Sequence, residues 1–208
     1  MIEASLDIVT FKTLVNSAKC FVATDDARPI LRFAKFVFYS DKVIVYALDG
    51  FKACRIVAKQ RNEHITEPIS CYIMPINFPI NKKYIAEVIF QFNDDKSTTV
   101  KVPTNYGYVS YNFRMPTGEF YNVDNVLKSA YEGLAGAPVS FNPALLRGVT
   151  NSVTSLGNKT YMTVLVNKDS YRPAVIVSET EGIKAESILL PIRIDQGDIS
   201  YEYKDVNE

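Results

Sequence analysis

The sequence predicts an α+β fold built of repeated units, each a strand, an amphipathic helix and an antiparallel meander. Three observations predict it. Apolar residues recur at helical spacing in two well-separated stretches: Phe11, Leu14, Val15, Ala18 and Phe21, then Leu145, Leu146, Val149, Val153 and Leu156. Most of the remaining chain breaks into short runs with the character of strands, separated by turn residues. The polar residues opposite the two apolar stripes share one spacing, four then three: Lys12, Asn16 and Lys19, then Arg147, Asn151 and Thr154. Recurrence of such a unit within one chain is an architectural repeat.

Residues 1–9 alternate loosely and read as an edge strand, after which Thr10 offers an N-cap hydroxyl to the first helix. The loop 24–29 leads into a strand at 30–39, a turn at 40–42 and a second strand at 43–48. Asp49 and Gly50 make a strong hairpin turn before a third strand at 51–58. Residues 59–67 are a charged loop and 68–75 a fourth strand. Strands follow at 85–92, 98–102 and 106–113, with at most a short helix at 81–86. The stretch 115–118 breaks the pattern, 123–134 reads as a connecting helix, and 133–138 is the best linker in the chain. The last third repeats the first. A short strand at 139–141 precedes Asn142 as N-cap and Pro143 at the first helical position, a well-formed helix start. Strands at 160–166, 174–178 and 184–194 complete the unit, and Tyr72-Ile73-Met74-Pro75-Ile76 rhymes with Leu189-Leu190-Pro191-Ile192-Arg193.

The 208 residues make one large or two small domains, and 47% hydrophobic residues suffice for a real core. Twenty-three Lys+Arg balance twenty-three Asp+Glu, so the chain is no bulk polycation and any basic site must be local. The absence of Trp and a single histidine, His64 in the charged loop, weigh against hydrolase and metal-site designs that rest on imidazole. Cys20, Cys54 and Cys71 are odd in number, fit no zinc spacing and lie in or beside apolar runs, which points to buried thiols in a reducing compartment. The acidic paired residues at 25–26, 94–95 and 179–181 fall in turn-like segments, and no glycine-rich phosphate loop, HExxH or GxSxG occurs. The beginning of the sequence does not read as a signal peptide, and no stretch approaches the ~18 apolar residues of a membrane helix. The expectation is a cytoplasmic protein that is not an enzyme, with no catalytic residues, metal, cofactor or membrane partner.

Four short passages carry a family resemblance: Arg28-Pro29-Ile30-Leu31 before a long meander, Tyr121-Asn122-Val123-Asp124 after the break at Met115-Pro116, Ser140-Phe141-Asn142 with its helix, and Leu190-Pro191-Ile192-Arg193. Together with the repeat they resemble the sliding clamps of DNA polymerases, most closely the bacterial β-clamp type. The resemblance covers most of the chain as a pattern. It implies the DNA clamp fold and, as partners, double-stranded DNA bound without sequence preference, a DNA polymerase and a clamp loader. It also implies a homo-oligomeric ring, a trimer before a dimer. A β-clamp chain has three domains of two units each, and this chain is too short for that; its length fits two-domain clamps of the kind phages use. Residues 1–124 and 125–208 would then be clamp-like domains. The alternative parse is one clamp domain from the first and last units with residues 77–135 inserted. Asp195, Asp198, Glu202, Asp205 and Glu208 run past the usual end as an acidic tail.

A ring that slides needs weak, scattered phosphate contacts, since gripping would stop it. Lys12, Asn16, Lys19, Arg147, Asn151 and Thr154 suit that task, and by resemblance Arg28 adds a loop contact to DNA. The bland reading is two solvated helix faces. The other cations of the first unit, Lys35, Lys42, Lys52, Arg55, Lys59 and Arg61, read as outer solvated surface. By resemblance Leu190, Pro191, Ile192 and Arg193 form one wall of a pocket for short hydrophobic peptides, against the plainer reading of ordinary strand residues. Tyr106, Tyr108, Tyr111 and Phe113 could stack single-stranded bases, although hairpin packing explains them more simply. The competing functional class is a clamp-fold or other α+β protein-binding module, an adaptor, decoy or virion component, that never encircles DNA.

Overall fold

A computed structural model describes residues 2–80, 86–131, 139–157, 161–167, 169, 171–180 and 182–192. Strand β1 (Ile2–Asp7) runs directly into helix α1 (Ile8–Lys19). The cap is Asp7, whose carboxylate accepts the backbone N–H groups of Val9 and Thr10, both at 2.9 Å. Thr10 therefore lies inside the helix, a correction to the expected cap, because a carboxylate one turn earlier satisfies the free N–H groups. A 3-10 turn at Pro29–Arg32 then replaces the expected start of the next strand, since proline fixes φ and the turn sends Ile30 and Leu31 into the interior. The meander follows as β2 (Ala34–Phe38), β3 (Lys42–Leu48), β4 (Lys52–Lys59) and β5 (Ile69–Ile73). The hairpin between β3 and β4 turns on Asp49 and Gly50, with Gly50 at φ 95°, a conformation few other residues adopt.

Next come β6 (Glu87–Phe92), β7 (Thr98–Thr104), β8 (Gly107–Phe113) and helix α2 (Val123–Tyr131). Helix α3 (Pro143–Ser155) opens as expected, with the Asn142 side chain accepting the Ala144 N–H at 2.8 Å. Strands β9 (Thr163–Leu165), β10 (Ala174–Thr180) and β11 (Ile183–Leu189) complete the order. Residues 139–141 are not a strand; a single bond from the Ile192 N–H to the Ser140 carbonyl, 2.7 Å, holds them beside the end of the last unit. The short helix at 81–86 (apart from Ala86), the linker at 133–138, Arg193 and the acidic tail lie outside the described residues.

Among the described residues every strand pair is antiparallel. One sheet has the order β1-β6-β7-β8 and the other β5-β2-β3-β4-β11-β10-β9. The third strand of the first meander, β4, thus pairs with the last strand of the final unit, β11. The two helices meet in the same way. Ser17 Oγ donates to the Ser152 carbonyl at 3.4 Å and Ser152 Oγ donates to the Ser17 carbonyl at 3.3 Å, across a separation of 135 residues. The same offset carries Lys12 onto Arg147, Asn16 onto Asn151 and Lys19 onto Thr154. Reciprocal bonds between equivalent residues mark an approximate two-fold relation between the first and last units. The seam is tight because its residues are small: a Cβ on Gly148 would lie 3.5 Å from the Cys20 carbonyl oxygen and 3.1 Å from Lys52 Cε.

The seven-stranded sheet is covered on both faces. One face, with Phe36, Phe38, Val45 and Ile56, packs under α1 and α3 and continues into the four-stranded sheet through Phe90 and Phe92. Phe38 and Phe90 have centroids 4.7 Å apart, and Phe11 from α1 meets Phe90 at 5.8 Å. Burial of these rings contributes the largest share of core stability, each worth about 3–5 kcal/mol against alanine. The other face carries a smaller cluster in which Val123, Leu127 and Ala130 of α2 cover Leu48, Ala53, Val175 and Ile188. Beside it, Arg55 bridges Asp124 (2.7 Å) and Glu186, its cross-strand neighbour, and Tyr46 donates to Asp124 at 2.6 Å. Burial alone would lower the Arg55 pKa, but its hydrogen bonds to Glu186 and Asp124 raise it above the ordinary value. Arg55 is therefore a cross-element tie, and Lys52 is folded in against Asp49 with its side chain largely covered. Neither is the solvated surface charge expected from the sequence.

Candidate functional site

Helices α1 and α3 lie side by side and turn their remaining faces outward. Asn16, Lys19, Arg147, Asn151 and Thr154 are exposed there and Lys12 is half-exposed. Why these helices face solvent this way follows from their stripes: Phe11, Leu14, Val15, Ala18 and Val149 are all essentially buried, leaving the polar residues no other side. Neither helix contains an Asp or Glu, although the whole chain carries as many acidic as basic residues. Among the described residues, none of the three cations has a carboxylate partner. The segment after β5 runs along part of this surface: Lys19 Nζ donates to Asn77 Oδ1 at 2.8 Å, and Lys12 and Asn16 border a shallow cleft with Ile76 and Phe78. The result is a weakly positive strip mixed with amides, able to meet a phosphate backbone without gripping it.

Arg28 is placed elsewhere. It precedes the 3-10 turn, its guanidinium donates to the Tyr121 hydroxyl at 3.2 Å, and it lines a cavity rather than the helical strip. That cavity, about 260 Å³, is predominantly apolar. The β3–β4 hairpin contributes Leu48, Phe51 and Ala53, β11 and its extension contribute Ile188 and Leu190, and Tyr121, Val123 and Val126 close it from the start of α2. Phe51, 62% exposed, and Leu190, 38% exposed, are held together by a bond from the Leu190 N–H to the Phe51 carbonyl, 3.2 Å. Of the residues expected to form the pocket wall, only Leu190 lines it; Pro191 and Ile192 lie beyond it and Arg193 is outside the described residues. Phe51 and Val126 went unnoticed in the sequence, and Tyr121 entered only through a resemblance passage with no pocket role. A large apolar residue inside a hairpin turn, as Phe51 is, was the available signal. Since the cavity is built on the α2 cluster, it opens on the sheet face opposite α1 and α3.

Two further features bear on assembly. The edge strands are β1 and β8 in one sheet and β5 and β9 in the other; β8 and β9 each leave one edge unpaired among the described residues, and exposed apolar or aromatic side chains flank both: Tyr106, Tyr108 and Val109, then Tyr161 and Val164. The aromatic stretch of β8 divides accordingly, since Tyr111 and Phe113 pack on Phe78 at 4.9 and 6.3 Å. Cys54 and Cys71 are buried thiols pushed up by desolvation, and the His64 ring faces the Glu3 carbonyl on the surface. Among the described residues no helix is long and apolar enough to cross a membrane.

No family model and no curated protein matches the sequence. Solved structures do match its fold. The DNA polymerase III beta chain of Streptococcus pneumoniae superposes with a TM-score of 0.65 at 13% identity, over 93% of this chain and 65% of that one. The DNA polymerase sliding clamp of Bacillus subtilis gives 0.65 at 11% identity, over 93% and 65%. The Thermotoga maritima DNA polymerase III beta subunit gives 0.63 at 14% identity, over 94% and 66%. The chain therefore has the fold of the DNA polymerase sliding clamps and is similar to a stretch just under two thirds the length of these relatives.

Proposed function

We propose that this protein is a non-enzymatic DNA sliding clamp: copies close into a ring around duplex DNA and hold a polymerase to it. The observation that carries this reading is the acid-free pair α1 and α3, joined by the Ser17–Ser152 seam, presenting Lys12, Asn16, Lys19, Arg147, Asn151 and Thr154 on one outward surface. Scattered cations and amides of this kind give sequence-independent, salt-sensitive affinity, while the ring supplies retention by topology. Arg28 then serves the pocket rather than the duplex. The pocket on the opposite sheet face takes the hydrophobic anchor residues of a polymerase segment, so that tethering does not compete with DNA. The pairing of first and last units supports the parse in which they form one clamp-type domain and residues 77–135 are an insertion.

Ring closure requires edge-to-edge pairing between copies, for which the open edges of β8 and β9 are suited. Light scattering across a concentration series is expected to give a discrete mass of three times the 23.4 kDa chain, or two times for a dimeric ring. A strictly monomeric mass throughout would favour a partner-binding module of the clamp fold over a ring.

A further inference from the structure

The face of the seven-stranded sheet that carries α2 is covered over only part of its length. Strand register sets its outward residues in cross-strand rows. Helix α2 covers the row Leu48, Ala53 and Ile188. The next row, Lys35, Tyr46, Arg55 and Glu186, holds the hydrogen-bonded network with Asp124. The third row is Val37, Ile44 and Val57, partly exposed and part of neither core cluster. Beyond it Lys42 stands directly opposite Lys59. Like charges opposed in this way weaken a ladder. Among the described residues none of Lys35, Lys42 and Lys59 has a carboxylate partner, and Lys42 lies over the Tyr39 ring, 5.1 Å from its centroid. A cavity of about 360 Å³, with Lys35, Val37, Tyr39 and Tyr46 on one side, lies between this stripe and the start of α2.

Helix α2 shows what such a surface takes. It lays Val123, Leu127 and Ala130, at i, i+4 and i+7, on the first row and sends the Asp124 carboxylate to Arg55 at 2.7 Å. The third row lies four residues further along β3, about 13 Å away. That is the room a neighbouring helix of about 10–12 Å diameter needs. We propose that the stripe docks an acidic amphipathic helix of a partner protein, its apolar side on Val37, Ile44 and Val57 and its flanking carboxylates on Lys35, Lys42 and Lys59. Charge complementarity selects this occupant. A duplex is the poorer one, because its phosphates satisfy the lysines but leave three β-branched side chains wet. The site is distinct from the pocket at Phe51 and lies on the face opposite α1 and α3, and it does not depend on ring closure.

The test titrates the full chain with two synthetic helix-forming peptides of about 20 residues. Both carry leucine at i, i+4, i+7 and i+11; one has glutamate on either side of that stripe and the other has lysine. The expected result, by calorimetry, is that the glutamate peptide binds about tenfold more tightly than the lysine peptide. A Lys35→Glu, Lys42→Glu double variant inverts that preference, and Ile44→Thr weakens both peptides about fivefold. Lys42→Glu by itself sets unlike charges opposite each other at Lys59, so its thermal midpoint holds or rises, which separates lost docking from lost folding. Phe51→Ala leaves the binding unchanged. Failure of the glutamate peptide to bind, or equal affinity in the double variant, overturns the proposal. Binding lost in Phe51→Ala does so too, because the peptide then sits in the pocket. A drop in duplex affinity in the double variant gives the face to nucleic acid, and a changed oligomeric mass in Ile44→Thr gives it to a second copy; either result overturns the proposal.

Discussion

Reversing charge at Lys12, Lys19 and Arg147 to glutamate is expected to remove most of the affinity for a short open duplex while leaving the fold and the oligomeric mass unchanged. The three side chains project from the polar faces of α1 and α3, and none contributes to the buried stripe, so each substitution should cost no more than about 0.5 kcal/mol of stability. Lys19 gives up one exposed hydrogen bond to Asn77, which water replaces. The effect on DNA is far larger. Losing three phosphate contacts lowers duplex affinity by roughly a hundredfold or more near 0.1 M salt and flattens the salt dependence by about three in slope. Neutral Asn16 and Asn151 act as internal controls, since alanine there should change affinity only slightly and leave the slope untouched. Fluorescence anisotropy on a short duplex across a salt series measures both quantities. A salt slope unchanged by the triple reversal would show that this face does not meet DNA.

The second large effect concerns the pocket. Phe51→Ala is expected to weaken a hydrophobic anchor peptide by about 30-fold or more, the cost typical of a central aromatic contact. Phe51 is 62% exposed in the free protein, so its truncation leaves the core intact and thermal stability should hold. Leu190→Asp should do the same by placing a charge in an apolar cavity, although Leu190 also packs beside β11 and carries a modest stability cost. Neither change touches α1 or α3, so duplex affinity and its salt slope are expected to remain at the level of the unaltered chain. Calorimetry with the peptide and anisotropy with the duplex separate the two surfaces. Loss of DNA affinity in Phe51→Ala would mean that the sites are not independent.

Most of the elements were legible in local signals. The two amphipathic helices, the Asp49-Gly50 hairpin and the Asn142-Pro143 helix start rest on interactions within a few residues, which spacing reports directly. Where local reading strayed, a nearby competitor won: Asp7 over Thr10 as cap, and the Pro29 turn over an early strand. What spacing cannot report is who pairs with whom. The β1–β6 and β4–β11 ladders join residues far apart in sequence, and the strip and the pocket both depend on such joins. The polar strip was readable because each helix carries its half of it. The pocket was not, because Phe51, Tyr121 and Leu190 come from three separate segments, and only Leu190 had a resemblance to point to it. Arg55 and Lys52 misled for a related reason: charge on a hairpin looks solvated until Asp124, Glu186 and Asp49 are seen beside it.

Encirclement is the central claim, and topology tests it most directly. The protein is assembled on a nicked circular duplex, with a clamp loader and ATP where closure needs them, and filtered away from free protein at a salt concentration that defeats simple phosphate contact. The expected result is that protein stays with the circle and is released within minutes when one restriction cut linearises it, because a closed ring slides off the ends. Equal retention on circular and linear DNA, or none on either, would contradict the account.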